Sequence, residues 1–191
     1  ALEQALLMAT GQADVLITTG GASVGDADFV VQLLRELGQL EFWKVAIKPG
    51  KPFVFGRLGQ MPVFGLPGNP VSMMVTFLQL ARPALLYMAG TSPSRPARWR
   101  AVCRTRLRKS PGRLEFQRGI LDWQEGIPGV IALSQQGSHC LTTMHLANCF
   151  IVLPAECRGV EPGETVEIEP FNAQTLYSWV GTASPPALRS V

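Results

Sequence analysis

The chain has 191 residues, 47% of them apolar and 16% charged, with Lys and Arg exceeding Asp and Glu by a net +3. That length accommodates one large domain or two small ones, each able to bury a core, and the balance is not that of a disordered chain. No unbroken apolar run approaches the twenty residues that a bilayer span needs, so no membrane association is expected.

The charge is uneven. Residues 1–90 carry six basic and six acidic side chains, and residues 91–191 carry eleven and eight. Four cysteines (Cys103, Cys140, Cys149 and Cys157) show no Cys-x-x-Cys spacing. This disfavours a structural zinc site or a dense disulfide framework and fits reduced thiols in a cytoplasmic protein.

In chain order, Ala1 to Gly90 alternates helix and strand, the pattern of an α/β layer with a largely parallel sheet. The first residues lack a basic leader and an initiator Met, and read as a helix (2–11) entered midway in a longer protein. A buried strand follows at 14–19, then a helix at 28–37 whose Phe29, Val30, Leu33, Leu34 and Leu37 share one face. From Glu41 to Lys48 the alternation of a strand puts Lys44 and Lys48 on one side, roughly 13 Å apart. Strands at 53–57 and 62–66 flank a Leu58-Gly59-Gln60 turn. A long helix starts at Pro70, behind Asn69 as its N-cap, and runs to about Met88 with a bend at Pro83.

Residues 91–97, rich in Pro and Ser, read as a linker between an α/β domain at 1–90 and a second domain at 98–172. There, strands at 99–108, 113–121, 129–134, 149–153 and 164–169 are separated by Gly-containing turns, which predicts a small all-β barrel or sandwich. Residues 173–191 read as a tail.

Two glycine-bearing loops carry the candidate chemistry. Gly20, Gly21 and Gly25 follow the 14–19 strand, and their lack of side chains lets an anion approach backbone N–H groups at the start of the next helix. A tight turn needs no ligand to justify such glycines, so this loop alone leaves both readings open. Gly65-Leu-Pro-Gly-Asn-Pro-Val-Ser72 is a second such loop, with Gly68, Asn69 and Ser72 as candidate contacts, and a simple capped helix is its plain alternative. In open α/β sheets both loops belong at the carboxyl ends of strands, where ligands bind. Lys44, Lys48 and Lys51 suit a polyanion, although lysines also protect exposed strand edges. Asp26 and Asp28 can cap a helix, or hold a hydrated Mg²⁺ against phosphate.

Thr18-Thr-Gly-Gly-Ala-Ser-Val-Gly-Asp-Ala-Asp28, Lys44-Val-Ala-Ile-Lys-Pro-Gly-Lys-Pro52 and Gly65-Leu-Pro-Gly-Asn-Pro-Val-Ser72 together resemble the signatures of the molybdopterin molybdenumtransferase family, the MoeA/gephyrin E-domain family. The likeness continues at Gln136-Gly-Ser-His139, Ala147-Asn-Cys-Phe-Ile-Val-Leu153 and Pro162-Gly-Glu-Thr-Val-Glu-Ile168, covering about residues 1–172.

The resemblance implies a three-layer α/β molybdopterin-binding domain, lacking its first strand and helix, followed by a β-barrel C-terminal domain. It implies insertion of molybdate into adenylylated molybdopterin with release of AMP, dependent on Mg²⁺. By this likeness Gly20, Gly21 and Ser23 hold phosphate, Asp28, Lys44 and Lys48 are catalytic, and Ser138 contacts substrate; the reading of the residues themselves adds Asp26, Lys51, Gly68, Asn69 and Ser72 as substrate contacts and Asp26 with Asp28 as metal ligands. Ser138 matches a serine that the C-terminal domain of the family contributes to the cleft. A homodimer is implied, together with a molybdopterin adenylyltransferase or a molybdoenzyme as partner. Because two N-terminal domains and one further active-site acid of the family have no counterpart here, the chain alone is expected to insert molybdenum poorly.

Three other readings compete. Arg95 to Lys109 holds seven basic residues and no acid, but Arg104, Arg106 and Arg108 alternate along an expected strand without an aromatic platform, so no nucleic-acid partner is expected. His139, Cys140, His145 and Cys149 lack zinc-site spacing. A non-catalytic molybdopterin-binding scaffold is the alternative to the enzyme.

Overall fold

A computed structural model describes residues 2–20, 29–92, 96–124 and 126–171. The expectations that fall on Gly21, Ser23, Gly25, Asp26 and Asp28, and on the 173–191 tail, lie outside the described residues. The chain divides into two compact units, Ala1–Arg95 and Pro96–Val191.

In the first unit, α1 (Leu2–Ala9), β1 (Leu16–Thr19), α2 (Phe29–Leu37), β2 (Gln39–Lys44), β3 (Ile47–Lys48), β4 (Pro52–Leu58) and β5 (Met61–Leu66) precede a long helix. Four strands form a sheet in the order β1-β5-β4-β2. Only β1 and β5 pair in parallel; β5–β4 and β4–β2 are antiparallel. The expected largely parallel sheet is thus corrected to a mixed one. The reason is connection length: Gly59 and Gln60 alone join Leu58 to its partner Met61, and a parallel pair would need a crossover of a dozen or more residues.

Period-two alternation separates two cores on opposite faces of this sheet. Val54 and Val63 pack with Leu6, Val30, Val31, Leu33 and Leu34 of α1 and α2. Phe53, Phe64 and Leu66 pack on the other face with Met73, Phe77, Leu80 and Ala81 of the long helix. The result is a helix–sheet–helix sandwich. At about 25 cal/mol per Å², each of these apolar side chains contributes roughly 1.5–3 kcal/mol, which sets the face each strand residue takes.

The long helix comprises α3 (Pro70–Thr76), a π-helical turn (Phe77–Ala81) and α4 (Arg82–Met88). Pro83 cannot donate to the carbonyl four residues back, and its ring crowds it. The backbone responds one turn earlier, with the Arg82 N–H donating to the Phe77 carbonyl in the wider π pattern. By length and composition this 19-residue helix could cross a membrane. It seats on the sheet through Met73, Phe77, Leu80 and Ala81, while Val71 and Val75 are fully buried.

The 41–48 segment is not one strand. Register shifts fall between Leu40 and Phe42 and between Phe42 and Lys44, and the Val45 N–H turns to the Lys51 carbonyl at 3.0 Å. Lys44 and Lys48 therefore lie on separate elements rather than on one strand face.

In the second unit, β6 (Trp99–Cys103), β7 (Leu107–Arg108), β8 (Leu114–Gln124), β9 (Ile127–Ala132), α5 (Leu141–Leu146), β10 (Cys149–Leu153), β11 (Gly159–Val160) and β12 (Thr165–Pro170) follow in order. Five of the strands close on themselves: β10 pairs β12, β12 pairs β6, β6 pairs β9, β9 pairs β8 and β8 pairs β10. Closure removes the sheet edges. The interior holds Cys103, Leu121, Val130, Cys149, Ile151, Leu153 and Ile168. The expected 99–108 strand breaks after Cys103, leaving Arg104 half-buried against Gly129 while Arg106 and Arg108 stay exposed. The three arginines thus do not share one strand face.

Candidate functional site

β1 and β5 run side by side with Thr18 opposite Gly65 and Thr19 opposite Leu66. Their loops consequently leave the sheet together. The Gly20 N–H donates to the Leu66 carbonyl at 3.1 Å. A Cβ at Gly68 would lie 3.2 Å from the Gly20 Cα. Gly20 itself has φ +81°, a conformation that costs an L-residue about 1–2 kcal/mol. The backbones at Gly20 and Gly68, forty-odd residues apart in sequence, are thus in contact, and a side chain at Gly68 would press on Gly20.

Because β2 runs in the same direction as β1 and β5, its last residue, Lys44, emerges at this same end of the sheet, opposite Pro52 at the start of β4. Three interstrand steps of about 4.8 Å place the Lys44 backbone about 14 Å from Gly20 across the strand ends. Lys51 immediately precedes β4; it is exposed and has no ion pair among the described residues. Lys48, also exposed, closes β3.

The segment between Lys48 and Lys51 is fixed to the long helix. Gly50 is buried with φ +116°, and a Cβ there would come 2.6 Å from Thr76 Cγ2. The Thr76 hydroxyl donates back to the Ser72 and Met73 carbonyls at 2.9 and 3.0 Å. Ser72 is buried beneath the first helical turn.

Asn69 occupies the N-cap position with an extended backbone, but its side chain does not cap. The expectation of a capping side chain is therefore corrected. Pro70 has no N–H, and the first turn closes instead through the Met73 N–H on the Asn69 carbonyl at 2.8 Å. Asn69 Oδ1, just before the long helix, and Thr18 Oγ1, on β1 opposite Gly65, are buried atoms without a hydrogen-bond partner among the described residues. Such atoms are costly unless something supplies the missing partner.

Ser138 belongs to the second unit, in the turn between β9 and α5, where the Cys140 N–H donates to the Gly137 carbonyl at 3.1 Å. Its hydroxyl has no hydrogen bond to another described residue. Beside this turn stands a residue that sequence reasoning passed over. Arg118 is 0% exposed, and its guanidinium donates to the Gln135 and Gly137 carbonyls at 2.9 and 3.0 Å and to Thr143 Oγ1 at 3.0 Å. Burial lowers its pKa from the ordinary arginine value. A strand arginine normally faces solvent, so nothing in the local sequence pattern marks it as buried.

The thiols have separate fates. Cys149 is sealed in the barrel, and burial pushes its pKa up to about 12. Cys103 is shifted upward by the same cause. His139 and His145 are exposed, so the four residues considered as a zinc set are distributed between core and surface. Among the described residues no group of three or more His, Cys, Asp or Glu could hold a metal ion.

Comparison with known proteins agrees along most of the chain. Residues 1–87 match the family described as "Probable molybdopterin binding domain", and residues 100–171 match "MoeA C-terminal region (domain IV)". The molybdopterin molybdenumtransferase of Haemophilus influenzae is 48% identical over 172 residues, covering 89% of this chain and 43% of that protein. The Bacillus subtilis molybdopterin molybdenumtransferase is 33% identical, covering 87% and 39%. The chain thus spans less than half the length of these relatives. A crystal structure of the Pyrococcus horikoshii molybdopterin biosynthesis MoeA protein superposes with a TM-score of 0.72 at 29% identity, covering 90% of this chain and 40% of that one. A molybdenum cofactor biosynthesis protein from Pyrococcus furiosus, at 24% identity and a TM-score of 0.69, shares the fold over 89% of this chain and 54% of its own.

Proposed function

The chain belongs to the MoeA family of molybdopterin molybdenumtransferases, and we propose that it serves molybdenum cofactor biosynthesis by inserting molybdate into adenylylated molybdopterin, with release of AMP. The observation that carries this reading is the stacking of Gly20 on Gly68 at the carboxyl ends of two parallel strands, with Lys44 at the same end of the sheet.

In this reading the backbone of the two glycine loops, Gly21 and Ser23 following Gly20 in sequence, accepts the phosphate of the pterin through N–H groups. Lys44, Lys48 and Lys51 offset the charge of molybdate and of the departing adenylate, stabilising negative charge as it develops. Asn69 and Ser72 line the second loop. Ser138, on the barrel unit, offers a further hydroxyl to an oxyanion. Asp26 and Asp28 fit magnesium by the chemistry of the donor set, one or two carboxylates completed by water and phosphate oxygens. The bound ion would neutralise phosphate charge. The soluble cytoplasmic setting, the homodimer and an adenylyltransferase or molybdoenzyme partner belong to the same proposal.

Calorimetric titration of the chain with adenylylated molybdopterin tests it. Lys44→Ala and Asp28→Ala should each weaken binding roughly tenfold or more, since charge-assisted contacts contribute about 1.5–3 kcal/mol. Affinity retained in both variants would refute the assignment of the site. Binding without any formation of cofactor when molybdate and Mg²⁺ are added would favour the scaffold reading for the 191-residue chain.

A further inference from the structure

We infer that Gln136 is a positioning residue for Ser138, holding the turn that presents the serine hydroxyl; the inference rests on the proposed role of Ser138 as an oxyanion contact. β9 leaves the barrel after Ala132, its last regular contact with β8 being the Leu133 N–H on the Arg118 carbonyl at 3.0 Å. From there the chain must turn without further strand pairing. The side-chain amide of Gln136 takes the place of a peptide group: Oε1 accepts the Arg118 backbone N–H at 2.8 Å, while Nε2 donates to the Arg118 carbonyl at 2.8 Å and to the Leu133 carbonyl at 2.7 Å. One side chain thereby satisfies both backbone groups of a fully buried strand residue and closes the bend that begins at Leu133.

The same residue is held from outside. The Arg118 guanidinium donates to the carbonyls on either side of Gln136, those of Gln135 and Gly137. Gly137 then starts the turn to Cys140, and the Thr143 hydroxyl, which accepts from Arg118 Nε, donates to the Cys140 carbonyl at 2.7 Å. Ser138 sits inside this clamped span, two residues beyond Gln136, half-buried and with no hydrogen bond from its hydroxyl to another described residue. A donor fixed before the ligand arrives loses no ordering entropy on binding, and this is the physical reason to anchor a serine-bearing turn so heavily.

The test measures molybdate binding to the chain by calorimetry, with backbone amide exchange at Gly137, Ser138 and His139 as a second readout. Wild type is compared with Ser138→Ala, Gln136→Met and the double variant. Gln136→Asn, which keeps the amide with its donor and acceptor on a shorter, uncharged side chain, is the milder substitution should Gln136→Met fold poorly. We expect either single substitution to weaken molybdate binding roughly tenfold and the double variant no further. Exchange should rise in Gln136→Met, less in Gln136→Asn, and not in Ser138→Ala. Affinity lost in Ser138→Ala but kept in both Gln136 variants overturns the positioning role while leaving the serine contact standing. Multiplying losses in the double variant overturn it as well. No molybdate binding by wild type, or none lost in Ser138→Ala, removes the serine contact and the inference with it.

Discussion

Replacement of Gly50 by alanine tests how the lysine-bearing loop is held. Two costs can be read from its surroundings. With φ +116°, an L-residue is strained by on the order of 1–3 kcal/mol. The new methyl would also stand 2.6 Å from Thr76 Cγ2 and 3.2 Å from Ile47 Cδ1, an overpacking that costs about 1–3 kcal/mol. The sum is roughly 2–6 kcal/mol, a large share of the stability of an ordinary domain. The two costs separate in a double-mutant cycle. Thr76→Ser deletes the offending methyl yet keeps the hydroxyl that bonds the Ser72 and Met73 carbonyls, and by itself should cost about 0.5–1.5 kcal/mol for the methyl. In the Thr76→Ser background, Gly50→Ala should therefore be milder by about 1 kcal/mol or more, the remainder being backbone strain and the Ile47 contact. Urea unfolding of the four proteins measures this. Additive effects within about 0.3 kcal/mol would mean that Gly50 does not rest on Thr76, and the proposed seating of the Lys48–Lys51 segment on the helix would fall.

Three further outcomes follow from the same reasoning. Lys109 is 8% exposed, and its ammonium donates to the carbonyls of Ala155, Cys157 and Ser110 at 3.1, 3.2 and 3.4 Å; Lys109→Met should lower stability by about 1–3 kcal/mol in urea unfolding, through carbonyls left without a donor. Because the Cys149 pKa is raised from 9.0 to about 12 in the folded chain, the unfolded thiol ionises first, so its contribution is intact below pH 9 and is lost towards pH 12 at up to about 1.4 kcal/mol per pH unit. Cys149→Ala should flatten the decline in Tm between pH 9 and 11, and an unchanged slope would argue against a sealed thiol. Purified chain supplied with adenylylated molybdopterin, molybdate and Mg²⁺ should yield little or no cofactor in a fluorescence or reconstitution assay, and efficient turnover would show that the remainder of the longer relatives is dispensable.

Periodicity made the local elements of the first unit legible. The apolar face of α2, the Gly59-Gln60 reversal and the extent of the 70–88 helix all follow from residues close in sequence, and even the distortion before Pro83 has a one-residue cause. What periodicity could not supply was partnership. The direction of β4 depends on the short Gly59-Gln60 connection and so could have been deduced, whereas the break after Lys44 depends on the Val45 N–H choosing a carbonyl six residues away, which alternation along 41–48 conceals. In the barrel unit, α5 is a six-residue helix between loops, too short for a period to show.

The candidate site divides along the same line. Each glycine loop by itself is equally a turn or a cradle, and only the parallel register of Leu16–Thr19 against Val63–Leu66 forces the two backbones into contact. That contact is a tertiary fact with a local consequence: a side chain at Gly68 would press on the Gly20 backbone, while Gly20 is restricted by its positive φ. Arg118 and Gln136 show the converse. Both are polar residues that a strand-and-loop pattern assigns to the surface, yet each is defined by backbone carbonyls, those of Gln135 and Gly137 for Arg118 and those of Arg118 and Leu133 for Gln136. A polar side chain that satisfies buried peptide groups leaves no hydropathy signature, because its partners are main-chain atoms common to every residue. A site built largely from backbone groups is for that reason least visible where it is most tightly organised.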